Sequence, residues 1–314
     1  MNTKRIFVIG SSNTDMVVRT SRIPRPGETI IGGTFMMNPG GKGANQAVAA
    51  ARLGGNVTFV ARTGNDMFGD GSIANYREAG IDTRYIFRDE NYPSGVALIS
   101  VDDNAENSIV VSPGANNELS IRDVEAAKKE LEAANYLLMQ LEMPMETAEY
   151  AARTAVESGV KVILNPAPAT QLSEELLKNV YLITPNETEA ELLTGIAINN
   201  EEDAKLAADK LISMGVENVI ITLGSLGALI RDASGFATQE ARKVEAVDTT
   251  AAGDVFNGAL CVALTEGMDI RDAVRFATVA ASISVTRMGA QSSVPTRNEV
   301  DTITLIKNYF SSNF

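Results

Sequence analysis

The chain has 314 residues, 45% of them hydrophobic and 21% charged, the balance of an ordinary soluble globular protein with a substantial core. Its formal net charge is −13, from 27 basic and 40 acidic residues; that argues against nucleic acid and anionic membrane surfaces as partners, which call for basic patches. There is no histidine, so Ser-His-Asp hydrolysis and histidine-ligated zinc are excluded, and a general base must come from Asp, Glu, Lys, Tyr or Cys.

Ile6-Phe7-Val8-Ile9, ended by Gly10, is a continuous apolar run and reads as a strand covered on both faces. It is too short for a signal-peptide core, and no later run approaches a membrane span, so a cytoplasmic location is expected. Ser11-Ser12-Asn13-Thr14-Asp15 follows as a polar loop at the end of that strand, where α/β sheets place ligands. Asn13 and Asp15 fit turn chemistry. They also fit a polyol site, offering donors and acceptors at a separation suited to vicinal hydroxyls.

Between 16 and 37, Pro24, Pro26, Gly27, Gly32 and Gly33 punctuate short β-prone pieces that look like strands leaving the main sheet. In a second such region Val96, Leu98 and Ile109-Val110-Val111 flank the turn Asp102-Asp103-Asn104, which suggests a hairpin. The insertions, about 15–37 and 90–112, are expected to form one small sheet that lids a site on a single α/β domain.

Asn38-Pro39-Gly40-Gly41-Lys42-Gly43-Ala44-Asn45-Gln46 is a dense motif. Its glycines let the backbone approach a ligand, and Ala44, Ala47, Val48 and Ala51 mark the helix that follows. The spacing is not that of a Walker phosphate loop. It reads either as the glycine-rich start of a helix with a solvated lysine, or as a substrate clamp with Lys42 and Asn45 on sugar hydroxyls.

Strands at 57–61, 136–141, 160–164, 181–183 and 219–222 then alternate with helices near 67–79, 121–133, 145–157, 187–194 and 201–213. The fold class is α/β: a mainly parallel central sheet with helices on both faces, plus a small β-sheet lid. Polar groups collect at strand ends, as in Gln140-Leu141-Glu142. Asn186 and Glu189, three apart at a helix start, fit an N-cap with a first-turn acid; they also fit one Mg²⁺ or its waters. Thr222, Gly224, Ser225 and Gly227 are a weak signal for a nucleotide-phosphate loop.

Val244-Glu245-Ala246-Val247 reads as a strand end, and Phe256, Leu260 and Leu264 recur at helical spacing. Between them lies Asp248-Thr249-Thr250-Ala251-Ala252-Gly253-Asp254. Its small residues leave backbone N–H groups free to face an anion at a helix N-terminus. Asp254 there is either a first-turn helix acid or a base that takes a proton from a hydroxyl beside the anion hole. Helices at 254–266 and 270–286 follow, and Cys261 reads as a small buried core residue that cannot form an intrachain disulfide.

Taken together and in this order, these motifs resemble the ribokinase, or phosphofructokinase-B, family of sugar kinases over nearly the whole chain. The resemblance implies ATP-dependent transfer of the γ-phosphoryl group to the 5-hydroxyl of D-ribose. Asp254 matches the family's catalytic base, and the amides of Ala251, Ala252 and Gly253 its anion hole. Asn13, Asp15, Gly41, Lys42, Asn45 and Glu142 match sugar positions. Asn186, Thr222, Gly224, Ser225, Gly227 and Gly253 match nucleotide positions, and Asn186 and Glu189 those that organise Mg²⁺ through water. A monovalent cation, K⁺, is implied at Asp248, Thr250, Ser284, Gly289 and Ser293, and a homodimer through the lid. Val255 departs from the small or hydroxyl residue usual after the base. The alternatives are a kinase for a related sugar such as 2-deoxyribose, or a non-catalytic sugar-binding regulatory protein.

Overall fold

The structure, a computed structural model, describes residues 4–104 and 106–311. Residue 105, inside the second expected insertion, lies outside the described residues. The N-terminal half contains β1 (Arg5–Ile9), β2 (Asn13–Arg19), β3 (Thr34–Gly40), α1 (Lys42–Arg52), β4 (Asn56–Gly64), α2 (Met67–Glu78) and β5 (Asp82–Asp89). β6 (Gly95–Val101), β7 (Asn107–Ser112), α3 (Ile121–Ala126), α4 (Lys128–Glu132), β8 (Tyr136–Met139) and α5 (Met145–Glu157) come next. The C-terminal half adds β9 (Lys161–Leu164), α6 (Glu174–Lys178), β10 (Leu182–Ile183), α7 (Glu187–Thr194), α8 (Glu201–Ser213) and β11 (Asn218–Thr222). β12 (Ala228–Asp232), β13 (Gly235–Gln239), α9 (Ala252–Glu266), α10 (Ile270–Ser284) and α11 (Arg297–Ser311) close the chain.

The large sheet has nine strands in the order β13-β12-β11-β10-β9-β8-β1-β4-β5. Every pairing from β11 to β5 is parallel, while β12 and β13 join one edge antiparallel. The continuous apolar runs follow from this placement, because a central parallel strand is covered on both faces. In β1, Ile6 and Val8 point into one core cluster with α1, α9 and α10, and Phe7 and Ile9 into the other with α5, α7 and α8. Each such fully buried side chain contributes roughly 1.5–3 kcal/mol.

The second sheet has the order β3-β2-β6-β7. Its strands come from the two regions that the sequence marks as leaving the main sheet. In its register Met37, Met16, Leu98 and Val110 share one row, and Asn38, Asp15, Ala97 and Val111 the next. The pleat therefore puts Asp15 on one face. Phe35, Met37, Leu98 and Val110, all about half exposed or more, lie on the other.

Several local expectations are corrected. The stretch 11–15 is not a loop throughout, because β2 begins at Asn13. Residues 244–247 form no strand; they lie outside both sheets, with a bend at Val247. The helix expected over 121–133 is broken at Ala127, whose φ of −100° and ψ of 6° leave the helical region. The strand expected over 136–141 stops at Met139, and the last of the paired helices at Ser284.

Candidate active site

The start of α1 is seated on the end of β1 by glycines. A Cβ on Gly43 would lie 2.6 Å from the Gly10 carbonyl carbon, and Gly41 holds a φ of +89°. α9 packs on the other side of α1, so Asn45 and Gln46 face Asp254. Asp254 Oδ2 accepts from Asn45 Nδ2 and Asp254 Oδ1 from Gln46 Nε2, both at 3.0 Å. The carboxylate is 6% exposed. Burial pushes its pKa up, against the charge of Lys42 and the two amide donors.

Asp254 lies in the first turn of α9, yet its side chain caps no backbone group. The N-cap is Ala251, at φ 57°, the one non-glycine among the described residues with a positive φ. Holding an alanine there costs on the order of 1 kcal/mol, and such strain collects at functional turns. The N–H of Ala252 donates to the Thr249 carbonyl at 3.2 Å, so that amide is turned into the loop. Those of Ala251, Gly253 and Asp254 have no protein acceptor among the described residues. Of the three amides expected to form the anion hole, two are therefore unclaimed, and the Asp254 N–H joins them. Val255 is 1% exposed and packs into the core, which accounts for an apolar residue after Asp254.

The expected sugar positions converge on the same place. Asn13 Oδ1 accepts from Asn116 Nδ2 at 2.7 Å, and Asn116 Oδ1 accepts the Ser12 N–H at 2.8 Å. This leaves the Asn13 amide NH₂ to donate elsewhere. The Asp15 carboxylate covers Gly40: a Cβ there would be 2.3 Å from either oxygen. Burial, and then the charges of Glu142 and Asp254, push the Asp15 carboxyl up to about 6. Glu142 Oε2 accepts from the Ser11 hydroxyl and, at 3.1 Å, from the Lys42 N–H. Burial opposes charge on Lys42, but Asp254, Glu142 and Glu189 more than offset it and hold its pKa above the ordinary value. The site thus sets three carboxylates around one ammonium, with Asp15 beside two of them, a poor place for a bare polyphosphate and a good one for hydroxyl donors.

Asn186 and Glu189 form a complete capping box on α7. Glu189 N–H donates to Asn186 Oδ1 at 2.8 Å, and Asn186 N–H to Glu189 Oε2 at 2.9 Å. Glu189 is 8% exposed, and burial raises its pKa. Its second oxygen receives no protein hydrogen bond among the described residues, so capping does not exhaust it. Thr222 bridges to Asn186, and its N–H donates to the Pro185 carbonyl at 2.9 Å. The turn Gly224–Leu226 follows at once, with Gly224 at φ 53° and Gly227 at φ 107°. The two nucleotide-like motifs are therefore neighbours.

Asp248 binds the loop after α10. Its Oδ1 accepts the Thr250 N–H and its Oδ2 the Gly289 N–H, each at 2.9 Å. Burial would raise this carboxyl, but these donors and the charge of Arg19 hold it low. Ser284 and Ser293 are buried, and their hydroxyls donate to the carbonyls of Ala281 and Ala290. Among the described residues no group of three or more His, Cys, Asp or Glu could hold a metal ion. One carboxylate with hydroxyl and carbonyl oxygens suits a large monovalent cation, and the Asn186–Glu189 pair suits a Mg²⁺ that arrives with phosphate oxygens and keeps its waters.

The sequence marks Gln140 only as a polar strand end, and it gives Asn116, Asn165 and Gln291 no role of their own. All four are buried amides, each bonded to a motif residue about 90 to 250 positions away in the chain.

Residues 3–297 match the model of the pfkB family of carbohydrate kinases. A protein of Haemophilus influenzae named ribokinase is 46% identical over 296 residues, covering 94% of this chain and 97% of that one. A deoxyribokinase of Salmonella typhimurium is 38% identical over 291 residues, covering 92% and 95%. The solved structure of Arabidopsis thaliana ribokinase complexed with ribose and ATP superposes with a TM-score of 0.90 at 33% identity, covering 96% of this chain and 98% of that one. Among the described residues no helix is long and apolar enough to cross a membrane.

Proposed function

The chain belongs to the pfkB family of carbohydrate kinases, and we propose on that premise that it transfers the γ-phosphoryl group of ATP to the 5-hydroxyl of D-ribose, giving D-ribose 5-phosphate. One observation carries the reading. Asp254 is a buried carboxylate in the first turn of a helix with unclaimed N–H groups, bonded to the glycine-lysine segment through Asn45 and Gln46. A raised pKa brings Asp254 closer to the hydroxyl it must deprotonate, so the proton moves as the O–P bond forms. The α9 amides then meet the charge that spreads over the transferring phosphoryl oxygens.

Asn13, Asp15, Gly41, Lys42, Asn45 and Glu142 hold the sugar, with the carboxylates accepting its hydroxyl protons. Asn186, Thr222, Gly224, Ser225 and Gly227 line the nucleotide. Mg²⁺, held through water by Asn186 and Glu189, would neutralise phosphate charge among the surrounding carboxylates. K⁺, held by Asp248, Thr250, Ser284, Gly289 and Ser293, would order the loop that presents the amides. The small sheet acts as a lid over the sugar, and its apolar face with Phe35, Met37, Leu98 and Val110 pairs two copies as a homodimer. We assign the enzyme to the cytoplasm.

A second reading, phosphorylation of 2-deoxyribose, is favoured by the likeness to the Salmonella deoxyribokinase. A sugar panel with ATP, Mg²⁺ and K⁺ separates them. Ribose should give the highest kcat/KM; markedly faster turnover of 2-deoxyribose overturns the substrate assignment. Absence of turnover with every sugar favours a binding protein instead.

A further inference from the structure

The two amides that hold Asp254 are themselves oriented by other amides. Gln46 Nε2 donates to Asp254 Oδ1 and to Asn165 Oδ1, each at 3.0 Å, while Gln46 Oε1 accepts from Gln140 Nε2 at 2.6 Å. On the other side Asn45 Nδ2 donates to Asp254 Oδ2, and Asn45 Oδ1 accepts from Gln291 Nε2 at 3.1 Å. Gln291 Oε1 in turn accepts from Asn75 Nδ2 at 2.7 Å.

Each arm has only one workable direction. Turning Gln46 end for end would set its carbonyl against the Asp254 carboxylate and its NH₂ against the NH₂ of Gln140. Turning Gln140 would set two carbonyl oxygens against each other. The arrangement leaves Gln140 Oε1 buried with no hydrogen-bond partner. It also needs a glycine beneath it, since a Cβ on Gly10 would fall 2.3 Å from that oxygen. An orphaned buried carbonyl is a standing cost in stability, and such costs persist where they serve a site.

We infer that Gln140 and Gln291 are positioning residues: by fixing which end of Gln46 and Asn45 faces Asp254, they hold that carboxylate in one orientation with an N–H donor on each oxygen. The inference rests on the reading of Asp254 as the base. A carboxylate has about four acceptor sites, so two amide bonds leave room for the sugar hydroxyl. The charged groups that act on Asp254 are Lys42 of α1, Asp15 of β2, Glu142 beyond β8 and Glu189 of α7. The amide arms supply fixed donors where three of these four groups are repulsive.

The test is steady-state kinetics on the full-length protein with ribose, ATP, Mg²⁺ and K⁺. Gln140→Met removes the donor and keeps the length. It should lower kcat about tenfold, the low end of what losing an orienting partner costs, with KM for ribose little changed. The acid limb of kcat should move up by about half a pH unit as the carboxylate loses a donor. Gln291→Met acts through Asn45, which also faces the sugar, so it should raise KM as well as lower kcat. A folded Gln140→Met protein with wild-type kcat and an unmoved acid limb overturns the inference. If that variant fails to fold, Gln291→Met with wild-type kcat and KM overturns it. Asp254→Asn is the control: if it keeps the wild-type rate, the base reading itself fails, and if it is inactive while both Gln variants behave as wild type, only the relay fails.

Discussion

Gly258 of α9 presses directly on Ala49 of α1: a Cβ on Gly258 would lie 2.6 Å from the Ala49 Cβ and 2.7 Å from the Gln46 carbonyl oxygen. This contact sets the spacing at which Asn45 and Gln46 reach Asp254. In an open helix, Ala in place of Gly would gain up to about 1 kcal/mol. Here the added methyl meets packed backbone, and overpacking costs roughly 1–3 kcal/mol. Gly258→Ala should therefore lower Tm and kcat together, measured by thermal melts and turnover. A higher Tm would show that the helices can part freely.

Asp15 should trade stability for binding. Burial and its carboxylate neighbours push its pKa from an ordinary 3.8 up to about 6, so its contribution favours folding below pH 4 and is lost as pH rises through 6. At pH 7 the ionised, crowded carboxylate costs at most about 3 kcal/mol, less for its partial exposure. Asp15→Asn should raise the Tm of the ligand-free protein at pH 7, with a smaller gain at pH 5, while weakening ribose binding. Calorimetry at both pH values checks the first part, and ribose titration the second.

Glu189 can be separated into its two roles. Glutamine keeps a capping box and drops the charge. Glu189→Gln should leave Tm within a few degrees and raise the Mg²⁺ concentration needed for half-maximal activity. Glu189→Ala should lose about 1 kcal/mol of stability as well. An unchanged Mg²⁺ requirement in Glu189→Gln would confine Glu189 to capping.

What was legible in the sequence follows from locality. Buried parallel strands such as β1 announce themselves, because both faces need apolar residues. Gly41 and Asp254 are legible because small residues around a charged one are rare outside sites. β2 was not: its first residues, Asn13-Thr14-Asp15, are polar and read as a turn. The 244–247 segment misled in the opposite sense, since alternation without ladder partners makes no strand. Ala127 carries no breaker signal, so nothing in the local sequence marks the α3–α4 interruption. The sequence reading places no strand at β5, β12 or β13. The roles of Gln140, Asn116 and Gln291 were not legible for another reason: a lone amide gains its meaning from partners about 90 to 250 residues away.

The proposed cation site is tested by salt. Activity should rise when Na⁺ is replaced by K⁺ at constant ionic strength, because Asp248 ties Thr250 to Gly289 and the proposed ligands offer only oxygens. Asp248→Asn should abolish the difference between the two salts. Equal rates of the unaltered enzyme in both would count against residues 248, 250, 284, 289 and 293 as ligands.

The most direct measurement is the turnover of ribose by Asp254→Ala, alongside ribose binding by the same protein. The expected result is a loss of at least about 100-fold in kcat, the usual worth of a general base, with the sugar still bound. A variant that turns over ribose at the unaltered rate would show that the proton of the 5-hydroxyl goes elsewhere.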